Sequence, residues 1–233
     1  MSCDEAGPVP AGHPDRIRWN ARYTARFGSS FTPHPLAVRA LALDPPHGPV
    51  ADLACGPSGS ALLAAGQGRR VTAVDISEVA LGLLGDEARW RGLGHLITLV
   101  HADLSAWSPE PRSHALVLCT GFWNRAVFTR ATDVVTNGGL LAWEALTAEA
   151  RDKHPSLPAE WSLAPGEPAS LLPPDFALIE QADEPTRARR CLLARRVGTF
   201  ARQPMACHAA VALAPTLKSA EGGQCGRAHP GCP

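Results

Sequence analysis

From Gly48 onward, short apolar runs rich in β-favouring residues alternate with stretches of helical spacing, and this alternation restricts the fold more than any other feature of the chain. The runs are Val50 to Cys55, Val71 to Ile76, Leu96 to Val100, Ala115 to Thr120 and Leu140 to Leu146. Helical spacing fills Ser58 to Ala65, Glu78 to Arg91 and Arg125 to Val135 between them. The pattern predicts an α/β fold, a mostly parallel sheet with helices on both faces. The prolines between Asp103 and Ser113 predict a loop there. A Pro-rich segment, Pro155 to Pro174, precedes two last β-type runs, Phe176 to Ala182 and Arg190 to Val197. Only Asp183 to Arg189, with Pro185 at its centre, joins these two runs. That is too short for a crossover helix, so they are expected to close the sheet as an antiparallel hairpin, giving seven strands.

Ahead of the first run, Trp19, Tyr23 and Phe27 recur at four-residue spacing between His13 and Phe27, and Pro14 and Asp15 suit a first helical turn. Leu36 to Leu43 reads as a second short helix, closed by Asp44-Pro-Pro-His-Gly. Beyond Gly198 the periodicity stops. One domain is therefore expected over residues 15–197, between a flexible start (1–14) and a disordered tail (198–233).

At 233 residues the chain suffices for one such domain. Its 22 Lys and Arg balance 22 Asp and Glu, so no overall field favours nucleic acid or an anionic membrane, and a small-molecule partner is the default. The start, Met1-Ser-Cys-Asp-Glu-Ala-Gly-Pro, lacks the marks of a signal peptide. No run approaches the roughly 18 apolar residues of a membrane span, so a cytoplasmic location is expected. The seven cysteines are an odd number, and Cys55, Cys119 and Cys191 sit in apolar runs as free thiols would. Cys207, His208, Cys225, His229 and Cys232 match no standard zinc spacing, so no metal is expected. Arg187, Arg189, Arg190, Arg195 and Arg196 make a basic strand pair that reads as a solvated face.

Chemistry concentrates at the strand ends. The first run leads through Asp52 into Cys55-Gly-Pro-Ser-Gly59 and a helix, where Gly56 and Gly59 permit a tight turn and close backbone approach. Asp75 ends the second run 19 residues after Gly56, near the roughly 20-residue offset of a ribose-binding acid. Asp75 also suits a helix N-cap with Glu78 three residues on, a role that Ser77 can fill instead. Asp103 follows the third run, placed to accept from an adenine amino group or to serve a turn. Three acids at the ends of successive strands lie along the edge where open α/β sheets bind ligands.

In Asp52-Leu-Ala-Cys-Gly-Pro-Ser-Gly, Val74-Asp-Ile-Ser and His101-Ala-Asp-Leu the chain resembles the class I S-adenosylmethionine-dependent methyltransferases, which have a Rossmann-like fold. Arg18-Trp-Asn-Ala-Arg-Tyr23, Gly138-Gly-Leu-Leu-Ala-Trp-Glu144 and Pro165-Gly-Glu-Pro-Ala-Ser-Leu-Leu bring it closest to the small tellurite-resistance-type branch. The resemblance implies S-adenosyl-L-methionine as cofactor. It places Asp52 and the Gly56 to Gly59 turn beside the methionine portion, Asp75 on the ribose, and Asp103 with Leu104 at the adenine. Cys55, Ile76, Ser77 and Cys119 join them as cofactor-binding candidates. Trp19, Arg22 and Tyr23 look like lid residues, with Arg22 for the methionine carboxylate. The usual glycine pair, with one residue between, is here Gly56-Pro57-Ser58-Gly59.

A methyl group already activated by a sulfonium needs mainly alignment and exclusion of water, so few reactive side chains are required. Phe122, Trp123 and Arg125 follow the fourth run, where an acceptor pocket should open; core packing is the competing role for the two aromatics. Glu144 is a carboxylate in an apolar strand, expected to pair with an arginine and otherwise to act as a base. His101 is the other acid–base candidate, against a satisfied strand-end histidine. The expected reaction is in-line methyl transfer to a small molecule by a monomer or homodimer. The alternatives are a nicotinamide-dependent oxidoreductase, which lacks its third glycine here, and a non-catalytic S-adenosylmethionine-binding protein.

Overall fold

The structure is a computed structural model that describes residues 9–25 and 30–198. Phe27 and the Cys- and His-bearing stretch 199–233 lie outside the described residues. Two helices, α1 (Pro14–Thr24) and α2 (Pro35–Ala42), precede the alternating region. Each starts the same way: a histidine, His13 or His34, accepts the amide two residues on through Nδ1, and a proline fills the first helical position.

The alternation then holds element by element: β1 (Val50–Leu53), α3 (Gly59–Gly66), β2 (Val71–Asp75), α4 (Glu78–Trp90), β3 (Ile97–His101), β4 (His114–Thr120), α5 (Arg125–Val134) and β5 (Val135–Thr147). A four-residue turn of helix, α6 (Ala150–Lys153), and a two-residue strand, β6 (Ser162–Leu163), occupy the Pro-rich region. The chain closes with the antiparallel hairpin β7 (Phe176–Glu184) and β8 (Arg189–Arg196). The strands run in the order β3-β2-β1-β4-β5-β8-β7, with β6 pairing β5 off this path. The seven expected strands are thus all present, and β6 makes eight.

The start of β5 differs from the sequence reading. β5 begins at Val135, directly after α5, because β-branched Val134, Val135 and Thr136 favour extended backbone. Asn137, Gly138 and Gly139 look like a turn, but they form a bulge where the pairing to β4 shifts between His114 and Leu116. The arginines of the hairpin are also not a solvated face. Arg196 is 3% exposed and donates to Asp175 at 2.7 Å; Arg189 pairs with Glu144 and Arg190 with Asp183. Arg190 pairs across the hairpin, Arg189 and Arg196 reach acids outside it, Arg195 donates to the Gly138 and Leu43 carbonyls, and Arg187 alone of the five is exposed, as expected.

Side chains of each strand alternate between two cores, as a period of two requires. Leu53, Cys119, Leu141 and Trp143 meet α5 on one face, where Phe128 and Trp143 pack edge to face at 5.1 Å. Truncating either ring to Ala costs about 3–5 kcal/mol. Val50, Leu118, Leu140, Ala142 and Leu193 meet α2, α3 and α4 on the other face. By the same alternation Asp52 and Glu144 face the α2 side. The order also puts β1 and β4 side by side with their connections leaving in opposite directions. Their C-terminal ends therefore open a crevice at a topological switch point.

Candidate active site

The turn after β1 is shaped by backbone strain and by crowding. Ala54 and Gly56 both adopt left-handed φ, 48° and 57°, on either side of Cys55. A Cβ on Gly56 would lie 2.7 Å from the Tyr23 hydroxyl, and one on Gly59 would lie 2.3 Å from the Phe31 carbonyl oxygen. The altered spacing of the two glycines therefore still yields a turn that needs both. Ser58 caps α3 by accepting the Ala61 amide at 3.0 Å, and its hydroxyl donates to Asp52 at 2.6 Å. Asp52 is 2% exposed, behind the turn rather than in the crevice. Burial drives its carboxyl up to about 7; the Ser58 bond opposes this and the nearby Asp75 charge adds to it.

Asp75 accepts the Gly56 amide at 2.7 Å and the Ser77 amide at 2.8 Å. It is not the cap of α4. Ser77 takes that role, accepting the Ala80 amide at 3.1 Å. Burial raises the Asp75 carboxyl above its usual range in spite of those amides. Asp103 is partly exposed and forms an Asx turn with the Ser105 amide, and its other oxygen lies 3.7 Å from His13 Nε2.

Helix α1 lies across this edge. Arg16 makes a forked pair with Glu78 at the start of α4, and Ser77 donates to Asn20 at 2.6 Å. That pair holds the Glu78 carboxyl down at about 2. Trp19 and Tyr23 stack at 5.8 Å and line the crevice, whereas Arg22 is exposed and rests over Trp19 outside the lining. Below them the cleft has a volume of about 140 Å³ and is bounded by Ala54, Asp75, Ile76, Asp103, Leu104 and Phe122, among others.

A second and larger cavity, about 630 Å³, shares Asp15, Asp103 and Phe122 with the cleft and continues past Trp123, Arg125, Glu160, Trp161 and Glu167. Phe122 is held at the junction by its own backbone: its carbonyl accepts Trp143 Nε1 at 3.0 Å and faces the Cys119 thiol. The Gly121 amide before it donates to the Glu144 carbonyl at 2.8 Å. Trp123 takes both roles considered for it, packing at 6% exposure against Phe128 and Trp143 while contributing to the cavity wall. Arg125 forms an ion pair with the buried Glu167, and Asn124 is the cap of α5.

The two acid–base candidates lie outside both cavities. Glu144, 2% exposed, is met by Arg189 at 2.7 Å, by His34 Nε2 at 3.1 Å and by the Cys191 thiol. Burial pushes its carboxyl up, but His34 and Arg189 outweigh burial and hold it at about 2, far from that of a neutral-pH base. His101 Nε2 sits 3.1 Å from the Ile76 carbonyl and 3.5 Å from Glu78, the satisfied strand-end arrangement. Cys55, Cys119 and Cys191 are free thiols; burial and neighbouring acids raise the first two well above the usual range and Cys191 to about 12. Among the described residues no group of His, Cys, Asp or Glu is arranged to hold a metal, and no helix is long and apolar enough to cross a membrane.

Sequence reasoning missed His34, Arg16, Asn20, Glu160 and Trp161. Only His34 left a signal, since His-Pro before an apolar stretch occurs at both N-terminal helices.

A mostly parallel sheet with this strand order, a glycine turn after β1 and an antiparallel C-terminal hairpin define the Rossmann-like methyltransferase fold. Residues 50–139 match the family model described as a methyltransferase domain. Among solved structures, a geranyl diphosphate C-methyltransferase from Streptomyces coelicolor A3(2), in complex with Mg2+, geranyl diphosphate and S-adenosyl-L-homocysteine, aligns with a TM-score of 0.61 at 10% identity, over 82% of this chain and 100% of that one. TehB from Haemophilus influenzae aligns with a TM-score of 0.58 at 17% identity, over 78% and 66%. The [4+2]-cyclase SpnF aligns with a TM-score of 0.54 at 16% identity, over 69% and 78%. No curated protein sequence matches the chain. The chain therefore has the Rossmann-like fold of these methyltransferases, and its residues 50–139 are similar to a methyltransferase domain.

Proposed function

We propose that the protein transfers a methyl group from S-adenosylmethionine to a small molecule. The observation that carries this reading is the Asp75 carboxylate, buried at the wall of the cleft and held by the Gly56 and Ser77 amides. Two neutral donors fix its orientation and leave its charge unpaired, so the remaining lone pairs are available to a vicinal diol. Asp103 with Leu104 borders the adenine, Ile76 packs on the nucleoside, and Trp19 and Tyr23 cover it. Asp52, Cys55, Ser77 and Cys119 lie behind the lining and support it rather than touch the cofactor, and Arg22 swings in from its present stack on Trp19. At about 140 Å³ the cleft is smaller than the roughly 300 Å³ of ordinary ligand sites, so α1 lifts for entry.

Held by Asp75, Asp103 and the turn at Gly56, the cofactor would supply a methyl carbon activated by its sulfonium for in-line displacement. The chain's part is alignment and dryness, through Phe122 at the junction and α1 as cover. SpnF shares the fold under another reaction, so turnover needs its own test. Pure protein is titrated with S-adenosylmethionine and separately with NADH, then incubated with methyl-labelled cofactor and a small-molecule extract. Cofactor binding with a labelled product supports the reading. Binding without label leaves a non-catalytic binder, and NADH binding alone returns the oxidoreductase.

A further inference from the structure

The link from β3 to β4 is pinned to α5 at two places. Near its start the Arg130 guanidinium donates to the carbonyls of Leu104 and Ser105, both at 2.8 Å. Near its end the Arg112 amide donates to the Asp133 carbonyl at 2.8 Å. Between the pins lies a cavity of about 130 Å³, whose inner wall is made by the buried side chains of Leu53, Leu104, Trp107, Val127, Ala131 and Val134. It shares only Leu104 with the cleft under α1 and only Val127 with the larger cavity beyond Phe122.

One polar atom of this wall is left over. Trp107 is 4% exposed, and its indole Nε1 has no hydrogen-bond partner among the described residues. A buried indole N–H ordinarily finds an acceptor, because leaving it unpaired forfeits its hydration for nothing. The five other buried side chains of the wall are aliphatic, so a lone water, which needs roughly two to four polar partners, is poorly held there. A charged occupant would be stranded against the same side chains. An acceptor carried on an apolar body meets both demands, and an apolar cavity of roughly 150 Å³ is enough for a benzene ring. Nε1 is closed to solvent, and an occupant reaches it by displacing residues 108–111, a span that α5 holds only at its ends. We propose that this cavity is a binding site separate from both spaces at the strand ends. It takes an uncharged ring of about six or seven heavy atoms bearing one hydrogen-bond-accepting oxygen, with that oxygen on Trp107 Nε1. Such a site is independent of methyl transfer.

Two volatile probes of matched shape distinguish it from a plain apolar void: cyclohexanone, which carries the oxygen, and methylenecyclohexane, which has carbon in its place. Uptake of each by the full-length protein is read by headspace chromatography. Both are expected to bind. Trp107→Phe removes the N–H and keeps a ring, and should lower the affinity of cyclohexanone relative to methylenecyclohexane about tenfold. Ala131→Leu fills the space from α5 and should cut uptake of both probes to background while the far-ultraviolet circular dichroism is kept. In the unsubstituted protein, the one indole N–H resonance that Trp107→Phe lacks should move downfield with cyclohexanone and hardly move with methylenecyclohexane. This reading locates the site even if Ala131→Leu does not fold. Absence of saturable uptake by the unsubstituted protein overturns the site, as does uptake that survives in folded Ala131→Leu. An unchanged probe ratio in Trp107→Phe, or an indole resonance indifferent to cyclohexanone, overturns the role of Nε1.

Discussion

Asp75 at the tip of β2 and Glu144 on β5 are both almost fully buried, yet their oxygens meet different kinds of partner. Asp75 is held by two backbone amides, and its neighbour Asp52 by a serine hydroxyl. Glu144 is held by an arginine, a histidine and a thiol. Neutral donors satisfy geometry and leave a net charge for a ligand. Ion pairs consume the charge and leave structure. On the proposed reading the β1–β2 half of the sheet edge serves binding, while the ion pairs of the β5–β8 half serve cohesion.

The largest effect that could break this contrast is on stability. Glu144→Ala leaves the partly exposed Arg189 and His34 without their buried carboxylate, and urea unfolding is expected to show a loss of about 3 kcal/mol. Asp75→Ala should lose at least about 100-fold in S-adenosylmethionine affinity by calorimetry, the scale of one to two hydrogen bonds to a charged group, with a smaller loss of stability than Glu144→Ala. Were the two outcomes exchanged, the division of roles would be wrong.

Acidity sharpens the comparison, because the two halves respond to pH in opposite senses. The Glu144 carboxyl lies at about 2 folded against 4.5 ordinarily, so its contribution is present above about pH 4.5 and is lost as pH falls toward 2. The Asp52 carboxyl lies at about 7 folded against 3.8 ordinarily. The folded state then holds more protons than the unfolded between those values, and stability declines as pH rises through that window. Asp52→Asn is accordingly expected to raise the melting temperature at pH 8 and to leave it nearly unchanged at pH 4; an equal shift at both would refute the assignment. The smallest effect is expected from Arg16→Ala, which frees one partly exposed pairing of α1 with α4. Stopped-flow displacement should show cofactor release a few-fold faster at nearly constant global stability.

How far the sequence carried differs along the same line. The strands and helices of the β1–β5 region were legible because burial on both faces imposes long periodic runs, and the three strand-end acids were legible because spacing alone puts them on one edge. Partners were not. Nothing near Glu144 points to His34, which comes from the start of α2, and the choice of Arg189 among the hairpin arginines depends on strand register. The early start of β5 was hidden by Asn137-Gly138-Gly139, which has turn chemistry in a place where tertiary pairing demands a bulge. Glu160 and Trp161 were missed since a Pro-rich segment has no period from which a facing can be read.

Phe122 is a partition common to two chambers, fastened through its own carbonyl to Trp143. A tenant on one side alters the wall seen by the other. On the proposed reading, with a nucleoside in one chamber and an acceptor in the other, any coupling through this wall is reciprocal, each ligand changing the other's dissociation constant by the same factor. Loosening the fastening should weaken that cross-talk before it weakens either affinity alone.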